Sequence, residues 1–83
     1  VKLNPNPFGL TQEEVDLMTI LATGAKRREA AELLDCDETS IQRAVVRVIA
    51  KTRARSTMHA VSLLSAIGTI AASDVVSFQK GQS

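Results

Sequence analysis

Tryptophan and tyrosine are absent from this 83-residue chain, and Phe8 and Phe78 are its whole aromatic content. Single-strand binding of the OB-fold or RRM type stacks bases on aromatic side chains, and that platform is missing. Cys36 is the one cysteine, so there is no intrachain disulfide and no cysteine-based metal site. Lying between two helices, it reads as a small buried hydrophobe. His59 is the one histidine, with no cysteine or second histidine nearby, which leaves a metal without a ligand set. There is no nucleophile–base pairing and no phosphate-cradling glycine loop, so neither an enzyme nor a cofactor is expected. No run of about 18 apolar residues occurs in these 83 residues, and no stretch of them reads as a signal peptide. The apolar stretch 60–76 is broken by Ser62, Ser65, Gly68, Thr69, Ser73 and Asp74. A location in the reducing cytoplasm, away from any membrane, is the expectation. Internal repeats and strand-like alternation are also lacking.

What the chain does contain is aliphatic. Hydrophobic residues make up 45% of it, nearly all Ala, Val, Ile and Leu. That composition suits tight packing of short helices in one small domain. The chain begins at Val1 rather than Met, which reads as a processed chain or a piece of a longer one. Net charge is only +1, but it is segregated. Residues 13–38 carry Glu13, Glu14, Asp16, Glu29, Glu32, Asp35, Asp37 and Glu38 against Lys26, Arg27 and Arg28. From Thr39 to His59 the charged residues are Arg43, Arg47, Lys51, Arg53 and Arg55, all basic. A lobe of positive potential on a near-neutral domain steers anionic partners in a way that total charge hides.

Residues 1–9 hold the NPNPFG string, whose prolines and glycine favour extended backbone and suggest a linker or N-terminal extension, with Phe8 tucked against the first helix. A first helix starts at Thr11. Thr11 and Glu14 have capping-box spacing, and Leu10 and Val15 have that of a hydrophobic staple. Leu17, Met18, Ile20 and Leu21 face inward, and Gly24 supplies the left-handed exit. A second helix covers about Lys26–Leu34, with Ala30, Leu33 and Leu34 buried and Ala31 allowing close approach. After the Asp35-Cys36-Asp37 turn, a third helix runs over about 38–53 with Asp37 as N-cap. Ile41, Val45, Val48 and Ile49 form its apolar stripe. The other face carries Gln42, Arg43, Val46, Arg47, Ala50 and Lys51, an uncompensated cationic face suited to the major groove of DNA, or an ordinary solvated one. A short helix, a tight turn and a longer cationic helix have the layout of a helix-turn-helix. A fourth helix starts at Ser56 and weakens at Gly68. Ala60, Val61, Leu63, Leu64 and Ile67 make it apolar over an arc wider than a small core needs, as for a central plank or a subunit contact. Residues 71–83 read as a C-terminal tail.

From Leu10 to Val61 the chain resembles the DNA-binding domain of LuxR/FixJ-type (GerE-like) bacterial transcription regulators. The resemblance is carried by Leu10-Thr11, Glu14, the Leu17/Met18/Ile20/Leu21 cluster and Ala22-Thr23-Gly24. It continues through Glu29-Ala30-Ala31, Leu34, Ser40-Ile41, Val48, Lys51 and Ala60-Val61, without a gap. Glu13, Ser40, Ala44, Thr52 and Thr57 depart from the residues usual at their positions. The resemblance implies an all-α, four-helix domain over residues 10–70 that binds double-stranded DNA. Base contacts are implied for Gln42, Arg43 and Val46, as pairing with adenine, bidentate pairing with guanine and contact with a thymine methyl. Phosphate contacts fall on Lys26, Arg27, Thr39, Arg47 and Lys51. A homodimer through the fourth helix would use His59, Val61 and Leu64. RNA polymerase is a further candidate partner. Glu29 is expected to make a hydrogen bond or ion pair within the domain.

Two other functions fit parts of this pattern. One is a promoter-reading domain like that of a sigma factor, which acts as a monomer on polymerase. The other is a helix-turn-helix module that binds protein through the fourth helix and no DNA. Salt dependence separates DNA binding from an apolar protein interface.

Overall fold

The computed structural model describes residues 5–71. Within that range the chain is all-α, with helices α1 (Gln12–Ala22), α2 (Arg27–Leu33), α3 (Glu38–Thr52) and α4 (Thr57–Ile67) and no strand. The expected tail lies, beyond residue 71, outside the described residues.

Each helix start is fixed by a side chain the sequence supplies. At α1 the Thr11 hydroxyl accepts from the Glu14 amide at 3.2 Å, and the Thr11 amide donates to Glu14 Oε1 at 2.9 Å. Together they satisfy two donors that a helix terminus leaves open. The Asp37 carboxylate accepts from the Ser40 amide at 2.7 Å at the start of α3, and Ser56 Oγ accepts from the His59 amide at 3.1 Å at the start of α4. At α2 the Lys26 amide donates to Glu29 Oε1 at 3.3 Å, the intradomain bond expected of Glu29.

The helix ends are equally local. Gly68 closes α4 with φ +87°, a left-handed conformation that needs glycine. The turn out of α2 does the same with an aspartate. Asp35 has φ 54°, its amide donates to Glu32 O at 3.3 Å, and the Cys36 amide donates to Ala31 O at 2.9 Å. That pair of bonds is a Schellman motif, and it folds the chain back so that α3 crosses α2 at once. Cys36 is exposed, not buried as the sequence suggested, because in this motif its amide turns toward α2 while its side chain faces solvent.

α3 lies at the centre and touches the three other helices. Its N-terminal half puts Ile41 and Val45 into a cluster with Leu17, Ile20, Ala30 and Ala31. Its C-terminal half puts Val48 into a second cluster with Leu10, Met18, Ala60, Leu64 and Ile70. α2 presents only alanines to this core: Ala30 and Ala31 are buried while Leu33 is 47% exposed. The expectation that Leu33 is buried is therefore corrected. With α3 packed closely over the two alanines, residue 33 falls on the far side of a seven-residue helix.

Residues 5–9 are fastened to the helices. The Asn6 side chain accepts from the Leu10 amide at 3.0 Å and donates to the Leu10 carbonyl at 2.7 Å. Phe8 packs on the second cluster, and Thr69 Oγ1 donates to the Pro5 carbonyl at 2.6 Å. The two ends of the described chain therefore meet beside α4.

Candidate nucleic-acid interface

The inward stripe of α3 fixes what its outward face displays. Ile41, Val45, Val48 and Thr52 are buried. Thr52 stays in the core because its hydroxyl donates to the Val48 carbonyl at 2.8 Å, within its own helix. Half a turn round, Thr39, Arg43, Val46 and Ala50 follow at i, i+4, i+7 and i+11, and all four are exposed. Gln42 flanks this stripe and is exposed as well. Val46, 54% exposed, is an apolar side chain held out between polar neighbours. Among the described residues, Arg43 has no ion pair. It lies near enough to Asp37 to help lower that carboxyl's pKa, though the Ser40 amide bond is the larger cause.

Arg47 and Lys51, on the side of α3 that leans toward α1, are placed differently from the sequence expectation. Arg47 Nε donates to Glu14 Oε2 at 3.3 Å, and Lys51 Nζ donates to Glu14 Oε1 at 2.7 Å. Glu14 itself is only 1% exposed. Burial pushes its carboxyl pKa up, but the bonds from Lys51, the Thr11 amide and Arg47 outweigh that, and the net shift is downward. The cationic face is thus partly compensated from another helix, which the sequence reading of an uncompensated face did not contain. The side chain of Arg47 remains 56% exposed and that of Lys51 34% exposed.

The remaining expected contacts sit at the edges. Lys26 and Arg27 are exposed at the start of α2, with Arg28 beside them. Since Glu29 already occupies the Lys26 amide, an anion there would meet the side-chain cations rather than that amide. Arg53 and Arg55 extend the positive charge past the end of α3 and are exposed. Arg53 is in the left-handed region, φ 56°, where it closes α3.

On α4 the three residues expected at a subunit contact part company. Leu64 is 0% exposed and packs against Met18 and Val48, so a second subunit cannot touch it. That expectation is corrected: the wide apolar arc of α4 is used mostly by its own core. Val61 is half-buried. His59 is exposed, and its Nδ1 accepts from the Arg55 amide at 3.0 Å, which ties the imidazole to the α3–α4 turn. The outermost apolar group on α4 is Met58, 77% exposed, a residue that the sequence reading passed over. Its exposure was detectable, since position 58 lies off the Ala60/Leu64/Ile67 stripe.

Among the described residues, no group of three or more His, Cys, Asp or Glu side chains could hold a metal ion. No helix there is long and apolar enough to cross a membrane. Comparison with protein-family models, curated proteins and solved structures finds no match to the chain.

Proposed function

We propose that this domain binds double-stranded DNA sequence-specifically, as part of a bacterial transcription regulator, with α3 read into the major groove. The observation that carries the reading is the outward stripe Thr39–Arg43–Val46–Ala50 on a helix whose opposite side is wholly seated in the core. A major groove about 12 Å wide admits one such helix. The groove floor offers acceptors to Arg43 and Gln42 and thymine methyls to Val46, and a bidentate side-chain pair discriminates by about 1–3 kcal/mol. Phosphates on either side are within the province of Lys26, Arg27, Thr39 and Arg47, with Lys51 shared with Glu14. The resemblance to LuxR/FixJ-type domains supports the same assignment and adds pairing through α4. With Leu64 enclosed, such pairing would use Met58, His59 and Val61.

Selection of bound sequences from a randomised duplex pool tests this. An enriched consensus with two-fold symmetry supports both the reading and the dimer. An enriched asymmetric consensus bound by a monomer favours the sigma-factor-like alternative. Binding to DNA that enriches nothing, or no binding at all, overturns the proposal. In that case the exposed Met58, beside half-buried Val61, Leu21 and Ala25, favours the protein-interaction module.

A further inference from the structure

The Glu14–Arg47–Lys51 cluster does more than join α1 to α3. Resting on the DNA-binding reading, we infer that Glu14 is a positioning residue that holds Arg47 as an oriented, two-pronged phosphate clamp, with Lys51 as the counter-charge that makes the buried carboxylate tolerable.

The geometry runs outward from the α1 cap. Glu14 Oε1 accepts from the Thr11 amide at 2.9 Å, so backbone, not a flexible partner, sets the plane of the carboxylate. Arg47 meets Oε2 through Nε, at 3.3 Å. Nε is the guanidinium nitrogen nearest the main chain. The two terminal nitrogens, with four of the five N–H donors, have no partner among the described residues, and the side chain is 56% exposed. That free end is a planar fork of the kind that binds phosphate bidentately. Anchoring at Nε removes rotamer freedom before DNA arrives, which lowers the ordering cost at contact.

Charge and position assign the roles. Two cations on one carboxylate leave a net charge of +1. Lys51, 34% exposed and 2.7 Å from Oε1, is the more deeply engaged partner, so the unspent charge lies mainly on Arg47. Arg47 follows Arg43 by one turn but lies toward α1, off the Thr39–Arg43–Val46–Ala50 midline. It therefore faces the groove wall rather than the base edges. A phosphate gripped there in one orientation fixes the register in which Arg43 and Gln42 meet the bases.

The test measures affinity of the 83-residue chain for its selected duplex and for a random-sequence duplex of equal length, across salt, at a temperature where circular dichroism shows folded protein. In Glu14→Gln the amide oxygen can keep the Thr11 bond, but an NH2 group then meets Arg47 Nε, and the clamp is released. Preference for the selected duplex should fall roughly tenfold, while random-duplex binding is retained or tightens several-fold because the surface gains one positive charge. Arg47→Lys should lose the same preference, since a point charge is not a fork, and the double variant should lose no more than Arg47→Lys alone. Lys51→Met removes a shared phosphate contact and should weaken both duplexes alike, leaving their ratio as in the parent. A folded Glu14→Gln protein with unchanged preference, or one in which both duplexes weaken equally, overturns the inference. If Glu14→Gln does not fold, Arg47→Lys with wild-type preference overturns it, and Arg47→Lys with lost preference beside Lys51→Met with retained preference supports it. Failure of the DNA-binding reading itself looks different, because the unmodified chain would then prefer no duplex.

Discussion

Arg43 and Glu14 are opposites at the scale of single residues: one is open to solvent with no ion pair among the described residues, the other enclosed and bound on both oxygens. Removing Arg43 should therefore leave folding alone and affect only readout. Arg43→Ala is expected to narrow the gap between selected and random duplex by about 1–3 kcal/mol while Tm stays within about 2 °C, checked by a binding competition and a thermal melt. For Glu14 the expected effect is on acid stability. Its folded pKa lies below the ordinary value, so between the two values the unfolded chain binds more protons. The stabilisation is complete above about pH 4.3, the ordinary glutamate value, and fades as pH falls through the lower folded value. Asp37 is shifted in the same direction by the Ser40 amide and adds to the acid limb. Denaturant titrations at pH 7 and near pH 3 should show a smaller loss in Glu14→Gln than in the parent. An equal loss in both would remove Glu14 from the account of acid unfolding.

At the scale of elements, the short connections carry as much structure as the helices. The α2–α3 turn depends on Asp35 holding φ 54°, a conformation that costs an L-residue free energy and glycine almost none. Asp35→Gly should stabilise the domain by about 0.5–1 kcal/mol, a rise of roughly 3–6 °C in Tm, with binding unchanged. α4 offers the complementary case. Leu64 is sealed against Met18 and Val48, so Leu64→Ala should cost about 2–5 kcal/mol through transfer and cavity terms together. That loss should be the same at low and high protein concentration. A loss that appears only where dimers dissociate would return Leu64 to a subunit contact.

For the whole molecule, net charge is a poor guide and its placement a good one. A total of +1 conceals a basic face and an acidic flank. If Lys26, Arg27 and Arg47 of two protomers each neutralise one phosphate, log K should fall against log salt with a slope of about −5. A slope near zero would point instead to an apolar interface such as that around Met58. Equilibrium sedimentation with and without the selected duplex reads the stoichiometry that goes with that slope.

Helix positions, caps and the division of α3 into an apolar and a polar side are local matters, and the chain declares them. Thr11 with Glu14, Asp37, Ser56 and Gly68 act within a few residues of themselves, so 3.6-residue spacing and cap chemistry suffice to place them. The roles of Arg47 and Lys51, the enclosure of Leu64 and the exposure of Leu33 and Cys36 are of another kind. A carboxylate 33 and 37 positions earlier in the chain meets those two cations only after α1 and α3 have packed. An apolar side chain on α4 becomes core or surface according to what stands opposite it. Spacing along the sequence fixes which face a residue shares, and the packing of one helix on another fixes what that face meets.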